Sequence, residues 1–217
     1  MPATGTARPS VYPAANRWPV ALVIIIGVSA LAEAILEGAD LGLWGNPGWR
    51  RTAIEYGAFW AGLLGNWRPN FPGQPVTMFL THAFLHAGAW HFIANVITLL
   101  ILERQIRVRF GQGALLLLFV ASVFGGALAF ALILPTADPM VGASGGIFGL
   151  FGALAADECE ARRGVGKAVY GLAVLALVIV LNLMQWWVSE GVLAWQAHLG
   201  GFAFGWLLGP PLRKREV

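Results

Sequence analysis

A serine, a histidine and a second pair of hydrogen-bonding side chains stand inside stretches of this chain that are otherwise apolar. Ser144, in Gly142-Ala143-Ser144-Gly145, begins one such stretch, and His198 lies in the last of them. A hydroxyl beside an imidazole is the smallest unit of nucleophilic acyl transfer, the hydroxyl attacking while the ring takes its proton. His91 and Asn95, four residues apart, share one face of a helix. With the backbone N–H of Ser144, their side chains are donors of the type that stabilise an oxyanion. Spacing alone leaves a second role open for Asn95, as a structural bond between helices. His82, His86 and His91 could instead bring imidazoles to a metal, but no His-Glu-x-x-His pattern exists and no carboxylate stands near them. No cofactor and no metal is therefore expected, and His82 and His86 read as residues that satisfy the polar groups of a loop.

The elements that must position these groups are membrane helices. Of the 217 residues 58% are hydrophobic and 12% are charged, where a soluble domain carries about 25% charged residues; the mean hydropathy is +0.69. Six apolar segments are predicted, about Trp18–Leu36, Trp90–Leu102, Gly113–Leu134, Ser144–Ala156, Val169–Met184 and Leu193–Leu208. A full crossing needs about 20 residues. The second, fourth and sixth segments reach that length only by taking in polar residues at one end, and the suspect residues lie there. The beginning of the chain resembles a signal peptide, with Arg17, an apolar run and Ala30-Leu31-Ala32. Its apolar character continues through Leu36, so an uncleaved first helix is expected.

The net charge of +3 does not indicate nucleic acid, because its distribution follows the helix ends. Arg8 and Arg17 precede the first segment. Arg104, Arg107 and Arg109 follow the second, Arg162, Arg163 and Lys167 the fourth, and Arg213, Lys214 and Arg215 the sixth. Eleven of the 14 basic residues thus fall on one side, leaving Arg50, Arg51 and Arg68 on the other. Basic loops face the cytoplasm, which predicts both termini there, in a bacterial cytoplasmic membrane. The second, fourth and sixth segments then all run inward, and topology alone brings His91, Asn95, Ser144 and His198 to one depth. Ala197, Gly201, Gly205 and Gly209 in the sixth segment, and Gly145, Gly149 and Ala153 in the fourth, recur at spacing four. Small residues at that spacing let helices pack closely in lipid and would bring Ser144 within reach of His198. Asp157 lies about 20 Å further along its helix, at the opposite surface, and Glu190 is eight residues from His198 in sequence. A dyad rather than a triad is expected. Cys159 is the single cysteine and reads as a small packing residue.

The stretch from Glu37 to His86, roughly 50 residues, is too long for a tight connection. It carries Trp44, Trp49, Phe59, Trp60 and Trp67 between Pro- and Gly-containing breaks. Tryptophan favours the membrane–water boundary, so an interfacial loop is expected, with an amphipathic helix over Ala53–Leu64 lying in the plane of the membrane.

With Trp67-Arg68, the run from Thr81-His82 through His86 and His91 to Asn95, Gly-Ala-Ser-Gly, and Ala197-His198-x-x-Gly201-x-x-x-Gly205, the chain resembles the rhomboid family of intramembrane serine proteases. The order and spacing of these motifs are specific where each alone is weak. The resemblance implies an all-α, polytopic bundle of six transmembrane helices with a long interfacial first loop. That gives a short tail at 1–17, a domain at 18–211 and a basic tail at 212–217. It implies a water-filled cavity open to the outer face and cleavage of transmembrane segments of membrane proteins through an acyl-enzyme intermediate. Ser144 and His198 would be the catalytic pair, with Asn95, His91 and the Ser144 amide as oxyanion donors. Gly142, Gly145, Phe148 and Gly201 would support the site. The expected partners are transmembrane protein substrates and the lipid bilayer. Some members of the family have tyrosine where this chain has Phe148, keeping the ring that stacks on the histidine but losing a hydroxyl. The second helix often ends on Val-Glu, whereas here Ile106-Arg107 stands at that point and Glu103 one turn earlier. A catalytically inert relative that binds and escorts membrane proteins is the alternative, and intact Ser144 and His198 argue against it. A transporter would call for repeats or broken helices, and neither is evident.

Overall fold

A computed structural model describes residues 19–133, 135–188 and 193–214. The described residues form helices α1 (Val20–Asp40), α2 (Trp49–Gly57), α3 (Gln74–Thr81), α4 (Ala89–Arg109), α5 (Gln112–Leu132), α6 (Ser144–Glu160), α7 (Gly164–Val188) and α8 (Trp195–Leu212), with no strand. Arg8, Arg17, Trp18, Glu190 and Arg215 lie outside the described residues. The protein is all-helical, and α1, α4, α5, α6, α7 and α8 answer to the six apolar segments. Of these, α1, α5 and α7 are each long and apolar enough to cross a membrane, and α3 with α4, joined at a 78° bend, make a fourth candidate. The shorter α6 and α8 are compatible with the remaining two crossings.

Helix α6 occupies the middle. Thirteen of its 17 residues are buried, which is how a helix without a polar face must be placed. Glycine allows the placement. A Cβ on Gly201 would lie 1.9 Å from the Gly145 carbonyl oxygen, and one on Gly205 would lie 1.7 Å from that of Gly149. On Gly209 it would lie 2.8 Å from the Ala153 Cα. Contacts advance four residues at a time in the same sense on both helices, so α6 and α8 run parallel with their backbones touching. Helix α5 closes the third side, where a Cβ on Gly200 would meet the Gly125 carbonyl oxygen at 2.4 Å. Helix α7 lies outside this core and exposes most of its surface. Among its described residues only Val174 and Val178 are buried, and Asn182 continues their stripe at spacing four.

The first loop departs from expectation. Its helix spans Trp49–Gly57 rather than Ala53–Leu64; Ala58 to Trp60 are extended, and only a short turn follows at Ala61–Leu64. The break has a tertiary cause. Phe59 pairs with Met140 through two backbone hydrogen bonds of 3.0 and 2.9 Å, and its ring is wholly buried. Arg50 pins the same loop to α1, contacting Glu33 and Glu37 at 2.9 Å each and also Asp40. It further donates to the His86 carbonyl oxygen at 2.9 Å. Burial opposes the charge of this guanidinium, yet the carboxylates of Glu33 and Asp40 outweigh that effect and raise its pKa above the ordinary value.

Candidate functional site

Ser144 is the first residue of α6 and His198 stands in the first turn of α8. Because the two helices are parallel and in backbone contact, their first turns lie side by side, and His198 Nε2 is 2.8 Å from Ser144 Oγ. Phe148, one turn beyond Ser144 on the same face of α6, lies flat against the imidazole at 4.3 Å between ring centres and 9° between planes. The ring expected to stack on the histidine does so, and the missing hydroxyl does not disturb the stacking. His198 itself is buried.

A third residue meets the histidine. His198 Nδ1 lies 2.9 Å from Asn182 Oδ1 on α7. Sequence reasoning did not single out Asn182. The available signal was an amide side chain four residues after Val178 in a largely apolar run, the sort of intramembrane polar group that invites a search for a partner.

The segment leading into Ser144 is held from two sides. Beyond the Phe59–Met140 pairing, the Gly142 N–H donates to the His82 carbonyl oxygen at 2.9 Å. Gly142 adopts φ +119°, and a Cβ there would meet the His91 ring at 2.7 Å. Only glycine fits such a position. His91 thereby lies against the Gly-Ala-Ser-Gly turn. Its Nδ1 receives a long contact of 3.5 Å from the Ala87 N–H. The first-turn amides of α6 have no intrahelical acceptor, and the residue preceding the helix, Ala143, offers no side-chain cap. The amide of Ser144 is therefore not claimed by its own helix.

Asn95 is buried and donates one amide hydrogen to the His91 carbonyl oxygen at 2.8 Å. It borders a cavity of about 10 Å³ shared with Ser29, His86 and Ala143, the volume of a single water. His82 is buried with Nδ1 2.7 Å from the Met78 carbonyl oxygen, while its own carbonyl holds Gly142. His86 packs edge-on against His91 at 5.1 Å and accepts Arg50 through its carbonyl. Both histidines brace the loop that presents the site.

Asp157 lies at the other end of α6, paired with Arg109 at 2.8 Å and Arg213 at 3.1 Å. Glu103 pairs with Arg107 at 2.8 Å. The Asp157 pairs gather the C-terminal ends of α4, α6 and α8, as expected for three helices that run one way, and among the described residues no carboxylate partners His198.

The family model for the Rhomboid domain matches residues 73–215. The chain belongs to the rhomboid family. The match takes in α3 through α8 and therefore Ser144, His198, Asn182, Phe148, His91 and Asn95, while α1 and most of the first loop, with Ser29, Arg50 and Phe59, precede it. Among curated relatives, this rhomboid chain is 36% identical over 132 residues to RHOMBOID-like protein 1 of Arabidopsis thaliana, covering 59% of this chain and 32% of that protein. It is 32% identical over 146 residues to Rhomboid-related protein 3 of Homo sapiens, covering 62% and 36%. It is 27% identical over 159 residues to Rhomboid-like protease 3 of Toxoplasma gondii, covering 71% and 56%. The chain thus spans about a third of the length of the plant relative. Family and apolar helices together make it an integral membrane protein.

Proposed function

We propose that this rhomboid is an intramembrane serine endopeptidase that cleaves transmembrane segments of membrane proteins near the outer face. The observation that carries the reading is the 2.8 Å approach of His198 Nε2 to Ser144 Oγ, a nucleophile and base in register. Ser144 Oγ attacks the scissile carbonyl carbon while its proton passes to His198 Nε2. The oxyanion that forms is received by the Ser144 amide, by the free amide hydrogen of Asn95 and by His91 Nε2. The last carries the ring proton if His91 Nδ1 accepts from Ala87. Collapse expels the amine, which takes the proton from His198, and leaves an acyl-enzyme on Ser144. Water, deprotonated by His198, then hydrolyses the ester.

A substrate helix hides its carbonyls in its own hydrogen bonds, so it must unwind to present them. Small or helix-breaking residues near its outer end lower that cost. The basic helix ends support cytoplasmic termini, with the protease domain at 18–211 and tails at 1–17 and 212–217. The name of the Toxoplasma relative, a protease, agrees with this reading.

Purified protein in liposomes, mixed with a panel of transmembrane substrates, tests it. Ser144→Ala and His198→Ala should each abolish cleavage while remaining folded, and the double variant should be no worse than either single, since the two act as one unit. Turnover retained by either single variant would overturn the dyad. A wild-type protein that cleaves nothing and resists serine-directed phosphonates would point to the inert, membrane-protein-binding alternative.

A further inference from the structure

We infer that Asn182 is a positioning residue that sets the tautomer of His198 and leaves Nε2 free to take the Ser144 proton, an inference that rests on the proposed Ser144–His198 pair. The argument is a count of donors and acceptors. Asn182 Nδ2 lies 2.8 Å from the Val178 carbonyl oxygen, and a carbonyl oxygen only accepts, so the amide nitrogen faces it. Oδ1 is thereby turned to His198 Nδ1 at 2.9 Å. That oxygen also only accepts, so Nδ1 must carry the hydrogen. A neutral imidazole has one N–H; Nε2 is then bare and accepts the Ser144 hydroxyl at 2.8 Å. From the Val178 carbonyl to the serine hydroxyl, one arrangement of hydrogens satisfies every contact.

The other tautomer would aim an N–H at Ser144 and leave no lone pair for its proton. The remaining contact on the ring, Phe148, is a stacked face that discriminates between the nitrogens in no way. When His198 takes up the serine proton, the Nδ1–H bond to Asn182 becomes charge-assisted and strengthens. An amide does this without placing a carboxylate at membrane depth, where charge is expensive. Asparagine fills the corresponding place in the Cys-His-Asn arrangement of papain-like proteases on an unrelated fold.

Ring-nitrogen NMR on protein carrying 15N-labelled histidine, with the His198 signals assigned against His198→Gln, reads the tautomer directly. The wild type should show Nδ1 protonated. Asn182→Leu, similar in volume but without an acceptor, should lose that preference and lower kcat about tenfold, the worth of one neutral hydrogen bond, with KM unchanged. Asn182→Asp, which keeps the acceptor, should retain the Nδ1–H form. A wild type protonated on Nε2 overturns the inference, and this holds even if Asn182→Leu fails to fold. A folded Asn182→Leu with wild-type kcat also overturns it, whatever its spectrum. Because the spectrum needs no substrate, failure of the protease reading would show separately, as absent cleavage with the wild-type tautomer intact.

Discussion

Replacing Gly201 or Gly205 with alanine should separate the two helices that carry the proposed dyad. The added carbon would stand 1.9 Å from the Gly145 carbonyl oxygen in the first case and 1.7 Å from that of Gly149 in the second. Ordinary contact is about 3.5 Å, and the obstacle is backbone on both sides, so no rotamer relieves it. The helices must part by about 1.5 Å, carrying the 2.8 Å bond between Ser144 and His198 beyond the limit of about 3.2 Å for a hydrogen bond. A misplacement of about 1 Å costs on the order of 10²-fold in rate, while overpacking of this size costs about 1–3 kcal/mol in stability. Both variants should therefore fold with a lowered Tm and show about 10²-fold lower kcat/KM on a reconstituted substrate. Gly209→Ala, where the approach is 2.8 Å, should lose far less, and Gly171→Ala, with no atom within 4 Å of the added carbon, should behave as wild type. Wild-type kcat/KM in a folded Gly205→Ala protein would refute the claim that backbone contact holds the site in register.

Asn95→Ala should lower kcat by roughly 10–10³-fold with little change in KM, as loss of one oxyanion donor does; unchanged kcat with a lowered Tm would make Asn95 a bond between helices instead. Arg50→Ala leaves buried Glu33 without its partner. It should cost about 3–5 kcal/mol, read as a fall in Tm that Glu33→Gln partly reverses.

That Ser144, His198 and His91 lie toward one end of the bundle could be read before any coordinates, because it depends only on the alternating direction of successive helices. Contact between α6 and α8 was also legible, since glycine at every fourth position has few other uses in lipid. The first loop was less so. Local periodicity extends a helix to Leu64, but Phe59 is drawn out of it by Met140, a partner 81 positions away in sequence. Asn182 was invisible for a related reason. An amide in an apolar helix, with Gln185 the only other along α7, carries no periodic signal, and what gives Asn182 meaning is the nitrogen of a histidine on another helix. Exclusion of Asp157 from the site needed only the rise of a helix, and its pairing with Arg109 and Arg213 agrees.

The helices of this bundle do not share a length. At about 1.5 Å per residue, the 17 residues of α6 span about 26 Å and the 25 of α7 about 38 Å, on either side of the roughly 30 Å hydrocarbon thickness of a bilayer. Lipid touches α7, which is exposed along most of its surface, and hardly touches α6, which is enclosed. Bilayer thickness is therefore felt by the long helix, through its tilt, while the serine rides on the short one. Asn182, where the long helix meets the histidine at 2.9 Å, is then one route by which acyl-chain length would reach the proposed site. Thicker and thinner membranes would then alter the rate of the proposed cleavage at a fixed substrate sequence, with the lipid as an adjustable part of the site.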